Sequence, residues 1–265
     1  MAESAGRDSD GVVESDVEIV TPDGTCDAAF TCPKSGSHPA VLLWADAFGL
    51  RPSMRAMAKR LAADGYAVLV PNPFYRLTRA PFTDASTVSF SDPADMAKLR
   101  PLLETAKAPG HVETDTVAFF GFLDAQKAVD TKRKAGVHGY CMGGMLSVKT
   151  AATLNNRIGA AASFHGGGLV TDGPDSPHLL APRIKARLYV GIAENDDARQ
   201  PAAKDKLREA FAAAKVPAEI EVYPHAMHGW CVPDMPPHDG APVYNKAAAE
   251  RAWGKLTALY KAALA

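Results

Sequence analysis

Apolar residues along this chain recur with two different periods. Short runs rich in Val, Ile, Leu and Ala predict strands over Val17–Thr21, Cys26–Cys32, Ala40–Ala45, Ala67–Val70, Ala135–Gly139, Ile158–Phe164, Arg187–Ile192 and Ala218–Tyr223. From VLLW (41–44) onward most positions in these runs are apolar, as expected of strands covered on both faces. Between them, apolar positions return every three or four residues. That period predicts helices over residues 53–65 (with Gly65 as the stop), 92–106, 113–129, 142–154, 201–214 and 244–264. Strand and helix alternate, so the fold class is α/β: a mostly parallel sheet of about eight strands with helices on both faces. Residues 1–16 are poor in apolar groups and rich in Asp, Glu, Ser and Gly, which predicts a flexible tail. Residues 17–265 contain no repeat, low-complexity block or linker and read as a single domain.

Charge narrows the choice of partners. With 29 Lys+Arg against 30 Asp+Glu, the net charge of -1 supplies no field for collecting nucleic acid or an anionic membrane. No apolar run approaches the ~18–20 residues that a membrane span needs. The opening stretch MAESAGRDSDGVVESD is acidic where a secretory signal is basic and then apolar, so a cytoplasmic location is expected. In that compartment the four cysteines, Cys26, Cys32, Cys141 and Cys231, are expected as free thiols. Neither GxGxxG nor GxxxxGK[ST] occurs, so nothing calls for a nucleotide cofactor.

The most informative string is VHGYCMGGM (137–145), a G-x-nucleophile-x-G pattern with Cys141 at its centre, between a predicted strand and a predicted helix. Small residues two before and two after let the chain turn sharply and leave the central side chain exposed. The helix start then favours a thiolate and offers N–H groups to an oxyanion. A thiol at its free pKa is only weakly ionised at neutral pH, so a base and a carboxylate are expected elsewhere. Asp196, or its neighbour Asp197, follows the strand 187–192; Asp196 is favoured because it is reached first. His228, or His225, follows the next strand. His228 is favoured because Gly229 and Trp230 let the loop fold the imidazole back. Nucleophile, acid, histidine is the chain order of α/β-hydrolases. His225 and His228 lack the further ligands that would complete a metal-site spacing, so no metal is expected.

Four segments, VLLWADAFGLRPSMRAMAKRLAADGYAVLVPNPFYR, VHGYCMGGM, YVGIAENDD and YPHAMHGW, together resemble the dienelactone hydrolase family of α/β-hydrolases. The resemblance implies a Cys141–His228–Asp196 triad that cleaves an activated ester or lactone through a thioester, with no cofactor. It also implies a carboxylate that touches the resting thiol. That position is Asp46, one methylene shorter than the family's usual glutamate. The Ala47 and Met142 amides would form the oxyanion hole. The family holds its substrate's carboxylate with arginines, one of them shortly after the triad histidine, but HGWCVPD (228–234) has none. Candidate substrate contacts at the predicted loop ends are Tyr75, Arg76, Arg100, Tyr140, His165 and Trp230. The expected partner is a small ester or lactone and the expected assembly a monomer or homodimer. A non-catalytic, redox-sensing protein using the same exposed thiol is the alternative.

Overall fold

The structure, a computed structural model, describes residues 7–9 and 11–264. Among the described residues nine strands, β1 (Arg7–Ser9), β2 (Val12–Thr21), β3 (Gly24–Pro33), β4 (Ala40–Trp44), β5 (Ala67–Pro71), β6 (Ala135–Tyr140), β7 (Ile158–Phe164), β8 (Arg187–Ala193) and β9 (Ala218–Tyr223), form one sheet. Their order is β1-β2-β3-β5-β4-β6-β7-β8-β9. β1 to β3 pair antiparallel, as does β3 with β5; every pairing from β5 across to β9 is parallel. All eight predicted strands are present, and the ninth is the three-residue β1.

Helices cover both faces. α1 (Pro52–Ala63) and α7 (Lys246–Ala263) bury Met54, Met57, Leu61, Trp253, Leu256 and Tyr260 against one face. α2 (Pro93–Lys107), α3 (His111–Asp124), α4 (Met142–Thr153) and α6 (Ala203–Ala213) bury Leu102, Phe119, Phe120, Leu123, Leu146, Leu207 and Phe211 against the other. β4, β5 and β6 are buried at every residue, which is why their sequences show no period-2 alternation. A six-residue helix, α5 (Glu194–Arg199), was not predicted; it has no buried residue and is too short to show a period.

The expected tail to residue 16 needs correction. β2 begins at Val12 and pairs with β3 from Val12↔Pro33 to Thr21↔Gly24. Its acidic residues are matched by helix side chains: Glu14 pairs with Arg55 (3.0 Å) and Lys59 (3.1 Å), and Asp16 with Arg55 (2.5 Å). Acidic composition imitated disorder because the compensating charges lie some forty residues on, in α1. For residues 1–6 and 10 the expectation lies outside the described residues.

The parallel register places the functional loops. Trp44 lies beside Gly139, Gly139 beside Ser163, Ser163 beside Val190, and Val190 beside Ile220. The carboxyl ends of β4, β6, β7, β8 and β9 therefore open on one rim, where ligands of open α/β sheets bind.

Candidate active site

Between β6 and α4 the backbone at Cys141 takes φ 53 and ψ -119, a conformation that non-glycine residues rarely adopt. Two close approaches make it possible. A Cβ on Gly139 would stand 2.1 Å from the Gly143 carbonyl oxygen, and one on Gly143 would stand 2.3 Å from the Trp44 carbonyl oxygen. Strand, turn and helix therefore pack at distances that no side chain allows. Met142 is the first residue of α4, so its N–H has no intrahelical acceptor. With Ala47, from the loop after β4, it lines the cavity into which Cys141 opens.

The strained turn is held from behind by His165, which follows β7 and itself has φ 41. The Cys141 N–H donates to the Phe164 carbonyl oxygen (3.1 Å) and to His165 Nδ1 (3.1 Å). An accepting Nδ1 puts the ring proton on Nε2, and that atom is buried with no partner among the described residues. Burial and the neighbouring His228 hold the His165 pKa well below its ordinary value. His165 is thus a neutral prop, its ring centroid 5.0 Å from that of His228 and 5.2 Å from Trp230.

His228 and Asp196 come from the segments that follow β9 and β8. The loop after β9 is tied to α5 by three hydrogen bonds. The Glu194 N–H donates to the Ala226 carbonyl oxygen (3.0 Å), the His225 N–H to Glu194 Oε2 (2.6 Å) and the His228 N–H to Asn195 Oδ1 (2.9 Å). Gly229, at φ 101, completes the turn. His228 Nδ1 lies 2.7 Å from Asp196 Oδ2, and the ring lines the same cavity as Cys141. Burial lowers the His228 pKa, but the Cys141 sulfur and the Asp196 carboxylate overcome it and raise the value to about 10. At neutral pH the ring therefore holds its proton. The neighbouring candidates stand apart: Asp197 pairs with Lys204 (2.7 Å), and the exposed His225 reaches only Glu194 (3.7 Å).

Several expected contacts are corrected. Both Asp46 oxygens face Arg51 (2.7 and 2.9 Å), and Oδ1 also accepts from the Phe48 N–H (2.9 Å). Arg51 goes on to Asp234 (2.8 Å), so the shorter carboxylate is committed to a buried ion pair and not to the thiol. Arg76 is held by Asp115 (2.7 Å) and Asp23 (2.6 Å), and Tyr75 hydrogen-bonds Thr21 and Asp115, so both brace β2 against α3. Arg100 is exposed on α2 and lines neither cavity beside Cys141. Tyr140 is buried and stacked on Phe164, and Trp230 is buried and stacked on Tyr223. Their rings pack behind the site, as His165 does, and do not face a substrate.

Two cavities meet at Cys141. One of about 510 Å³ runs along α4 past Met142, Met145 and Lys149; the other, of about 440 Å³, is lined by His228, Asn195, Met227 and Met235. Phe90, exposed before α2, borders both. None of Phe90, Met145, Met235 or Lys149 was singled out from sequence. Only Lys149 carried a signal, as the one charge in the otherwise apolar or small stretch MGGMLSVKTAAT. Among the described residues no group of three or more His, Cys, Asp or Glu side chains is arranged to hold a metal ion. No helix among them is long and apolar enough to cross a membrane.

Comparison with known proteins gives a consistent result. Residues 26–264 match the model of the dienelactone hydrolase family. The carboxymethylenebutenolidase of Rhodococcus opacus is 28% identical over 230 residues, covering 86% of this chain and 82% of that one. Among solved structures, m3DLH superposes with a TM-score of 0.79 at 24% identity, over 97% of this chain and 100% of that chain. The dienelactone hydrolase of Anabaena variabilis does so with a TM-score of 0.65 at 16% identity, over 97% and 100%.

Proposed function

Because the chain belongs to the dienelactone hydrolase family, we propose that it hydrolyses activated esters or lactones through Cys141, His228 and Asp196. One observation carries this reading: a single imidazole, bonded to Asp196 at Nδ1, shares a cavity with a cysteine that stands on a strained strand-to-helix turn. The thiolate is the attacking form of a cysteine, and His228 is the group beside it that takes and returns protons.

The sulfur adds to the substrate carbonyl carbon, forming a C–S bond and moving the π electron pair onto oxygen. The Met142 and Ala47 N–H groups receive that oxyanion; such donors are worth roughly 2.7–4 kcal/mol each in comparable sites. The adduct collapses with cleavage of the C–O bond, and His228 gives its proton to the departing alkoxide. Neutral His228 then takes a proton from water, the hydroxide adds to the thioester, and the thiolate leaves as the acid forms. Asp196 fixes the imidazole tautomer throughout. A thiolate leaves more readily than an alkyl alkoxide, so adducts of unactivated esters revert. The site therefore favours aryl esters, enol esters and strained lactones.

Cys141→Ala and His228→Ala are each expected to abolish turnover of a p-nitrophenyl ester while the circular dichroism spectrum stays native. Undiminished turnover by either variant rejects the triad. A stable sulfenate on Cys141 in a protein that turns over no ester points instead to an oxidisable thiol without catalysis.

A further inference from the structure

The larger cavity beside Cys141 contains a charge that the chain does not neutralise. Lys149 follows Met142 and Met145 on one ridge of α4, and all three line the cavity. It is 5% exposed, and every other buried residue of α4 is uncharged. Among the described residues its ammonium makes no hydrogen bond and no ion pair, and it is not one of the side-chain atoms sealed from solvent, so its tip opens into the cavity. The buried stem leaves the ammonium facing the solvent that fills the cavity, where an anionic ligand group can take the place of water as its partner. The cavity's other charged groups, Lys107 and Asp175, are exposed and of opposite sign, so the enclosed charge remains positive.

The two cavities divide the substrate. In the proposed reaction His228 protonates the departing alcohol, which places the alcohol in the cavity that His228 lines. The acyl part then extends into the other, along Met142 and Met145 toward Lys149. Eight residues at about 1.5 Å each put Lys149 about 12 Å along the helix from Cys141, and the lysine stem leans back toward the helix start. The remaining gap suits a chain of a few methylenes, and the thioether walls suit its apolar character.

We propose that Lys149 anchors a carboxylate at the far end of the acyl chain, making half-esters of short dicarboxylic acids the preferred substrate class. This rests on the hydrolase reading above, and the test separates the two. The probes are 4-nitrophenyl half-esters of glutarate and adipate, each compared with the same ester whose free carboxyl is capped as a methyl ester. Wild type is expected to favour the anionic member by roughly tenfold or more in kcat/KM, mainly through KM because the contact is the same in ground and transition states. Lys149→Met is expected to erase that preference and Lys149→Arg to keep part of it. Equal use of the pair by wild type, an unchanged preference in Lys149→Met, or an equal loss on both members overturns the anchor. Adipate binding by calorimetry reads the same contact without catalysis. If wild type binds adipate and Lys149→Met does not, the anchor stands even where no ester is cleaved and the hydrolase reading fails. If both bind it alike, the anchor falls even where esters are cleaved.

Discussion

Asp196 and Asp197 are adjacent carboxylates just past the same strand, and only their partners separate them: His228 for the first, Lys204 for the second. Asp196→Asn is expected to lower kcat by roughly 10²–10⁴-fold, since the amide disturbs the imidazole tautomer. Asp197→Asn is expected to stay within about threefold, because a partly exposed ion pair contributes little. Steady-state kinetics on one aryl ester decides between them. His228 also makes a pH prediction. Its folded pKa of about 10 lies above the ordinary 6.5, so its contribution to stability is complete below pH 6.5 and is lost as pH rises through 10. The urea midpoint should therefore fall over that window, and fall less in Cys141→Ala, which lacks the strongest influence raising that pKa. Equal slopes would remove the sulfur from the account. The choice between the two aspartates was not legible in sequence because it depends on an approach between segments some thirty residues apart.

At the scale of elements, the turn from β6 into α4 was readable because steric demand leaves glycine no alternative at 139 and 143. Gly139→Ala is expected to destabilise the fold by about 3 kcal/mol or more, since its Cβ would meet backbone rather than a movable side chain. Gly254→Ala lies in the exposed interior of α7 with nothing within 4 Å, and is expected to stabilise by roughly 0.5–1 kcal/mol. Denaturant melts of the two variants should shift in opposite directions. The loop after β4 was misread at Asp46 because Arg51 and Asp234, both present in sequence, gave no sign of meeting it. Asp46 and Arg51 are almost wholly buried, so Arg51→Met leaves a carboxylate without its counter-charge and is expected to cost about 3–5 kcal/mol. Because this ion pair holds the loop that carries Ala47, Asp46→Asn should also lower kcat.

For the molecule as a whole, the parallel half of the sheet was legible because strands buried on both faces leave unbroken apolar runs, as at Val41–Trp44 and Ala67–Val70. The antiparallel edge was less so. β2 alternates acidic and apolar residues, and its charges are answered only in the folded state by Arg55 and Lys59. Chain order brought Cys141, Asp196 and His228 to one rim, whereas the lining of the two cavities comes from loops and helix faces with no shared pattern. Phe90 and Met235 look like any apolar residue until the loops before α2 and after Cys231 are folded together.

Trapping the acyl-enzyme tests the central claim most directly. A brief exposure to 4-nitrophenyl acetate followed by acid quenching and peptide mass mapping should show one acetyl group on the peptide bearing Cys141, absent in Cys141→Ala and slow to form in His228→Ala. An acetyl group found elsewhere, or Cys141→Ala releasing nitrophenol at the wild-type rate with no acyl-enzyme, contradicts the proposed chemistry.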